Sequence, residues 1–218
     1  MPEAPERYNA SVLLDANLAA GRGDKVAIYC GDQRVTYRDL FDRVCALGRA
    51  LTALGVGREE RVLLVLDDTP TFPIAFLGTI RIGAVPIPVN PLYRAADYRH
   101  FLEDSRARVV VTESAYLDKM LQALQGASEP VTLVVTGSGA AGAYALDELL
   151  TEHRGDLPPA DTHRDDMAFW LYSSGSTGRP KGVVHLHHDI PYTCATYARR
   201  VLGITEDDVV FARVLFHA

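Results

Sequence analysis

Apolar positions along the chain recur with two alternating periods, and that alternation predicts the architecture. Leu40, Phe41, Val44, Leu47, Leu51 and Leu54 fall three or four residues apart, the spacing of one helix face. Thr36 reads as the N-cap of that helix, Asp39 stands at the acidic position three residues on, and Gly55 closes it. Before it, 11–20 reads as a short helix, and 25–30 with 34–37 as a hairpin about Gly31 and Asp32. After it, strand-like runs at 61–66, 84–89, 108–112 and 131–136 alternate with helical runs at 72–82, 95–104, 116–124 and 146–153. Runs such as VLLVL and VTLVV are apolar throughout, as expected of strands buried on both faces. The pattern predicts an α/β fold, a mostly parallel sheet layered with helices. Residues 156–166, with two prolines and five charges, read as a connection. It leads to a strand at 167–172, a second at 182–185, a helix at 191–202 and an open-edged strand at 208–215.

Composition narrows the function classes. With 218 residues and 48% apolar content the chain can bury a sizeable core. A net charge of −6, with no run of more than two basic residues, argues against nucleic acid or an anionic membrane surface as main partner. Cys30, Cys45 and Cys194 are odd in number and far apart, the usage of reduced thiols. No basic-then-apolar leader opens the chain and no apolar run reaches the length of a membrane span. A soluble, cytoplasmic protein is expected.

The chemistry concentrates in Tyr172-Ser-Ser-Gly-Ser-Thr-Gly-Arg-Pro-Lys-Gly182. Glycines let backbone approach a ligand closely, and successive N–H groups in such a turn form a concave anion site. The hydroxyls of Ser173, Ser174, Ser176 and Thr177 add donors, Pro180 fixes φ, and Lys181 supplies a compact cation. This composition suits a polyphosphate. A Walker A loop is excluded, because Gly175 and Gly178 stand too close and no Lys-Ser/Thr pair follows. Two other patterns compete for attention. Gly137-Ser-Gly-Ala-Ala-Gly142 is a GxGxxG string after a strand and before a helix, but the acidic-ended strand that a dinucleotide site needs is missing from 153–161. His185-Leu-His-His-Asp189 has metal-ligand residue types but no distant second ligand group, so packing and hydrogen bonding are expected there and no metal.

The 172–182 string resembles the signature loop of the adenylate-forming acyl- and aryl-CoA ligases. The segments at 9–14, 21–28, 62–70, 82–90 and 101–108 resemble benzoate- and hydroxybenzoate-CoA ligases in turn. The resemblance implies the N-terminal part of the family's large AMP-binding domain. Residues 1–160 would be a first α/β subdomain, and 161–218 the phosphate-loop segment and start of a second, with the C-terminal domain absent. It also implies two half-reactions using ATP, Mg²⁺, a small-molecule carboxylic acid and coenzyme A. Ser173, Ser174, Gly175, Ser176, Thr177 and Gly178 would cradle the β- and γ-phosphates, and Lys181 with Thr177 would act in catalysis. His217 would border the acyl pocket. These 218 residues alone are not expected to form acyl-CoA. A fatty-acid CoA ligase, a peptide-synthetase adenylation domain and a non-catalytic nucleotide-binding remnant remain as alternatives, and oligomeric state is not specified.

Overall fold

The computed structural model describes residues 4–127, 129–137, 142–173 and 179–211. Helix α1 (Val12–Ala19) precedes a hairpin of β1 (Val26–Cys30) and β2 (Gln33–Thr36). Helix α2 (Tyr37–Ala53) then begins on the expected cap. Thr36 Oγ1 accepts from Asp39 N–H at 3.0 Å, and Asp39 Oδ2 accepts from Thr36 N–H at 3.1 Å. The alternating region follows as β3 (Arg61–Val65), α3 (Thr71–Arg81), β4 (Val85–Pro88), α4 (Ala95–Ser105), β5 (Val109–Thr112), α5 (Leu117–Leu124) and β6 (Thr132–Val135). A short strand β7 (Ala143–Ala145), α6 (Leu146–Glu152), β8 (Met167–Ser173), β9 (Lys181–Leu186) and α7 (Asp189–Thr193) complete the labelled elements.

Five strands form a parallel sheet in the order β4-β3-β5-β6-β7. Side chains alternate across a strand, and here the alternation divides two cores. Val62, Leu64, Val109, Val111 and Val134 face a cluster shared with α1, α2, α3 and α6. Leu63, Val65, Val110 and Leu133 face a second, shared with α4 and α5. Strands β8 and β9 form a separate antiparallel pair that packs beside β4. Phe169 of β8 enters the first core and Tyr172 the second, so this hairpin is anchored on both sides of the parallel sheet.

The crossing of α2 and α3 is close enough to require glycine. A Cβ at Gly78 would lie 3.1 Å from Leu47 Cβ and 3.1 Å from the Val44 carbonyl oxygen. Gly78→Ala gains about 1 kcal/mol of helix propensity, but overpacking a filled contact costs about 1–3 kcal/mol. The expected net result is a lower urea midpoint; an unchanged or raised midpoint would show that the crossing can spread.

Two local expectations are corrected, and one strand is added. Beyond the glycine string at 137–142, whose residues 138–141 lie outside the described residues, Gly142 (φ 86°) leads into β7, which pairs with β6 ahead of the expected helix α6. The helix expected at 191–202 starts at Asp189, whose carboxylate accepts from Leu186 N–H, and continues over Cys194–Val201 as a π-helix with no buried face to hold it to α geometry. Residues 208–211, the described part of the strand expected at 208–215, pair with nothing among the described residues, and Val209, Val210 and Phe211 are exposed. Apolar sequence alone does not make a strand without a neighbouring edge.

Candidate functional site

Strands β8 and β9 hold the candidate loop by its two ends. Ser173 stands opposite Lys181 in the antiparallel register, and Tyr172 opposite Gly182. Both Ser173 and Lys181 are exposed. The Lys181 amine, at the first position of β9, makes no hydrogen bond or ion pair with any described residue. Ser174, Gly175, Ser176, Thr177 and Gly178 lie outside the described residues, as does His217. The structure therefore brings together two of the expected site residues, Ser173 and Lys181, at the mouth of the hairpin.

Packing leaves little room for a side chain at Gly182. A Cβ there would sit 3.3 Å from Trp170 and 3.7 Å from the Tyr172 ring. Tyr172 is buried against Phe101, with ring centroids 4.5 Å apart, and its hydroxyl donates to Asp104 Oδ2 at 2.7 Å. Burial first, and then the Asp104 carboxylate, push its phenol far above the ordinary value. On the other strand, the Pro180 carbonyl oxygen lies 3.0 Å from His100 Nε2. A ring nitrogen facing a carbonyl must carry the proton. The expectations from sequence included neither His100 nor Asp104. Their four-residue spacing on α4 was visible, but nothing in it announces partners 68 to 80 positions away.

The three histidines after the loop go to separate partners. His185 stacks on Phe169 at 4.5 Å and 7°, with Nδ1 3.4 Å from Asp189. His188 Nδ1–H reaches the Arg164 carbonyl and Asp165. His187 is fully buried, and its Nδ1 accepts from Ala10 N–H at 3.1 Å. Among the described residues no group of three metal ligands assembles.

Burial lowers the His187 pKa from 6.5 to about 4, opposed by Asp166 and reinforced by Arg58. A base depressed by folding destabilises the fold on acidification: below 6.5 the unfolded chain takes up a proton that the folded chain refuses. The loss accumulates down to about pH 4 and then levels off. Between pH 7 and pH 5 this one group should cost on the order of 2 kcal/mol. His187→Gln keeps an acceptor for Ala10 without the titration. Urea unfolding at both pH values should show a smaller pH-dependent loss in that variant than in the parent; equal losses would exclude the assignment.

Comparison with known proteins now adds a family. The AMP-binding enzyme family model matches residues 16–217. The chain is 44% identical over 213 residues to the 4-hydroxybenzoate–CoA/benzoate–CoA ligase of Rhodopseudomonas palustris, covering 97% of this chain and 39% of that protein. It is 45% identical over 217 residues to the benzoate–CoA ligase of Thauera aromatica, covering 98% of this chain and 41% of the other. Among solved structures, a benzoate CoA ligase from Burkholderia xenovorans superposes with a TM-score of 0.84 at 38% identity, over 94% of this chain and 40% of that one. The chain thus spans about two-fifths of the length of the curated relatives it matches.

Proposed function

The chain belongs to the AMP-binding enzyme family, and from that membership we propose that it is the phosphate-holding part of an ATP-dependent acid–CoA ligase acting on a benzoate-like aromatic acid. Residues 1–160 are assigned to a first subdomain and 161–218 to the start of a second. In the first half-reaction the substrate carboxylate attacks the α-phosphorus of ATP, forming the acyl-adenylate and releasing pyrophosphate. In the second, the thiol of coenzyme A displaces AMP and forms the thioester. No helix among the described residues is long and apolar enough to cross a membrane, and a cytoplasmic setting is part of the proposal.

The observation that supports this reading is the Lys181 amine, without a partner among the described residues, opposite Ser173 at the hairpin mouth. A cation and a hydroxyl, flanking a Ser/Gly loop, match the charge and donor demand of separating phosphates. Ser173, Ser174, Gly175, Ser176, Thr177 and Gly178 are assigned to the β- and γ-phosphates, and Lys181 to the departing pyrophosphate. His217 is assigned to the border of the acyl pocket. The described residues at the mouth supply donors and no carboxylate cluster. They suit phosphate oxygens better than a bare magnesium ion, so magnesium is assigned to the nucleotide it accompanies.

The test is acid-dependent pyrophosphate exchange into ATP by the complete enzyme, with benzoate, 4-hydroxybenzoate, dodecanoate and an amino acid mixture compared. Benzoate or 4-hydroxybenzoate should exceed dodecanoate by at least about tenfold in kcat/KM, the discrimination a shaped apolar pocket can supply. The reverse order would favour a fatty-acid ligase. Exchange with amino acids alone would favour a peptide-synthetase domain, and nucleotide binding without any exchange a non-catalytic remnant.

A further inference from the structure

We infer that helix α4 is the positioning element of the phosphate loop, with His100 and Asp104 holding its two feet. The inference rests on reading the β8–β9 hairpin as the phosphate site. His100 Nε2–H donates to the Pro180 carbonyl, the peptide that leads directly into Lys181. Asp104 accepts from the hydroxyl of Tyr172, the residue directly before Ser173. The two side chains are four positions apart and therefore share a helix face.

The spacing of these groups matches the strands they grip. Four residues along a helix advance about 6 Å, and paired strands lie about 4.8 Å apart. One face of α4 can therefore reach one foot on each strand, Tyr172 on β8 and Pro180 at the entry to β9. The apolar contact sits between the two polar ones: Phe101, fully buried, packs its ring on Tyr172. His100 also meets the Tyr172 ring edge-on, with centroids 6.3 Å apart and planes at 65°.

Packing of β8 on β4 and of Phe101 on Tyr172 seats the hairpin but gives its loop-side ends no directional bond to α4. The two polar contacts supply one at each end. They hold the Pro180 peptide and the Tyr172 side chain, the groups directly before Lys181 and Ser173. His100 and Asp104 touch no phosphate in this arrangement. They are positioning residues, acting through Pro180 and Tyr172.

Two readouts on this chain separate positioning from plain stability, using His100→Ala, His100→Gln, Asp104→Ala and Asp104→Asn. The first is amide hydrogen exchange at 172–173 and 181–183, with 62–65 in the parallel sheet as internal reference. Losing one hydrogen bond of ordinary net strength should speed exchange at the feet about fivefold and leave the reference unchanged. The second is affinity for magnesium tripolyphosphate, followed by the fluorescence of Trp170, the chain's one tryptophan. The alanine variants should bind at least about threefold more weakly. His100→Gln and Asp104→Asn, which can restore a donor and an acceptor, should return to within about twofold.

Unchanged exchange in both alanine variants would overturn the clamp itself. Faster exchange with unaltered affinity would reduce α4 to a structural support and overturn the positioning role. If the parent bound no tripolyphosphate, the phosphate reading of the hairpin would fail and the positioning role with it. Loss of binding in Lys181→Ala alone would keep the phosphate site and remove α4 from it.

Discussion

Replacing Lys181 with alanine should cut acid-dependent pyrophosphate exchange in the complete enzyme at least tenfold, and should leave the stability of this chain within about 0.5 kcal/mol of the parent. Both halves follow from where the residue stands. Lys181 is exposed at the first position of β9, and its amine bonds to nothing among the described residues. Removing it therefore strands no partner among the described residues. A hydrogen bond from a charged donor to a phosphate is worth about 1.5–3 kcal/mol, and each 1.4 kcal/mol is about a factor of ten. The expected loss is thus one to two orders of magnitude. Lys181→Arg keeps the charge but replaces a compact ammonium by a planar fork on a longer stem, so it should recover only part of the rate. Exchange at the parental rate in Lys181→Ala would remove this residue from the reaction. A fall matched by a comparable loss of folding stability would mean that the amine has a structural partner among residues 174–178.

Much of this architecture is legible in the sequence because the forces that build it are periodic. α2 carries its apolar stripe, its Thr36–Asp39 cap and its glycine stop within 20 residues, and it forms over Tyr37–Ala53. β3, β5 and β6 are apolar on both faces, and each proves to be an interior strand of the parallel sheet. β7 escaped because Ala-Tyr-Ala is too short to show a period; it exists through its pairing with β6. The same dependence on neighbours works in reverse at 208–211, where a strand-like run finds no edge among the described residues. The signature loop is recognisable as a string, since its chemistry depends on residue types in local order. Its supports are not, because Tyr172–Asp104 and Pro180–His100 join residues far apart in the chain. His187 is a sharper case. Three neighbouring imidazoles look alike in sequence, yet one is fully buried against the N-terminal segment through Ala10 while the other two keep contact with solvent.

Asp15→Ala is expected to cost more stability than Arg81→Met, although the two substitutions delete opposite ends of one ion pair. Arg81 ends α3 as a 1% exposed residue. Its two terminal nitrogens donate to the two Asp15 oxygens at 2.7 and 2.9 Å, and its Nε donates to the Leu157 carbonyl at 2.6 Å. The guanidinium also lies over the Phe41 ring at 4.9 Å. The pair is asymmetric in its access to water, with side-chain exposures of 2% for Arg81 and 37% for Asp15. Deleting Asp15 leaves a cation enclosed by protein, and an uncompensated buried charge costs about 3–5 kcal/mol. For a chain of this size that is a fall of roughly 10 °C in Tm. Arg81→Met removes the charge and keeps apolar volume against Phe41, while the Asp15 carboxylate can turn to solvent. The remaining losses are the Leu157 hydrogen bond and one bidentate contact, about 1–2 kcal/mol together after resolvation. The double variant should resemble Arg81→Met alone, because once the cation is gone Asp15 has little left to stabilise. Urea unfolding at pH 7, followed by Trp170 fluorescence, measures all three. Equal losses in the two single variants would show that water reaches the guanidinium on unfolding of α1. A larger loss in Arg81→Met would place the stabilisation in the Leu157 bond instead, in the connection that delivers the chain to β8 and the hairpin.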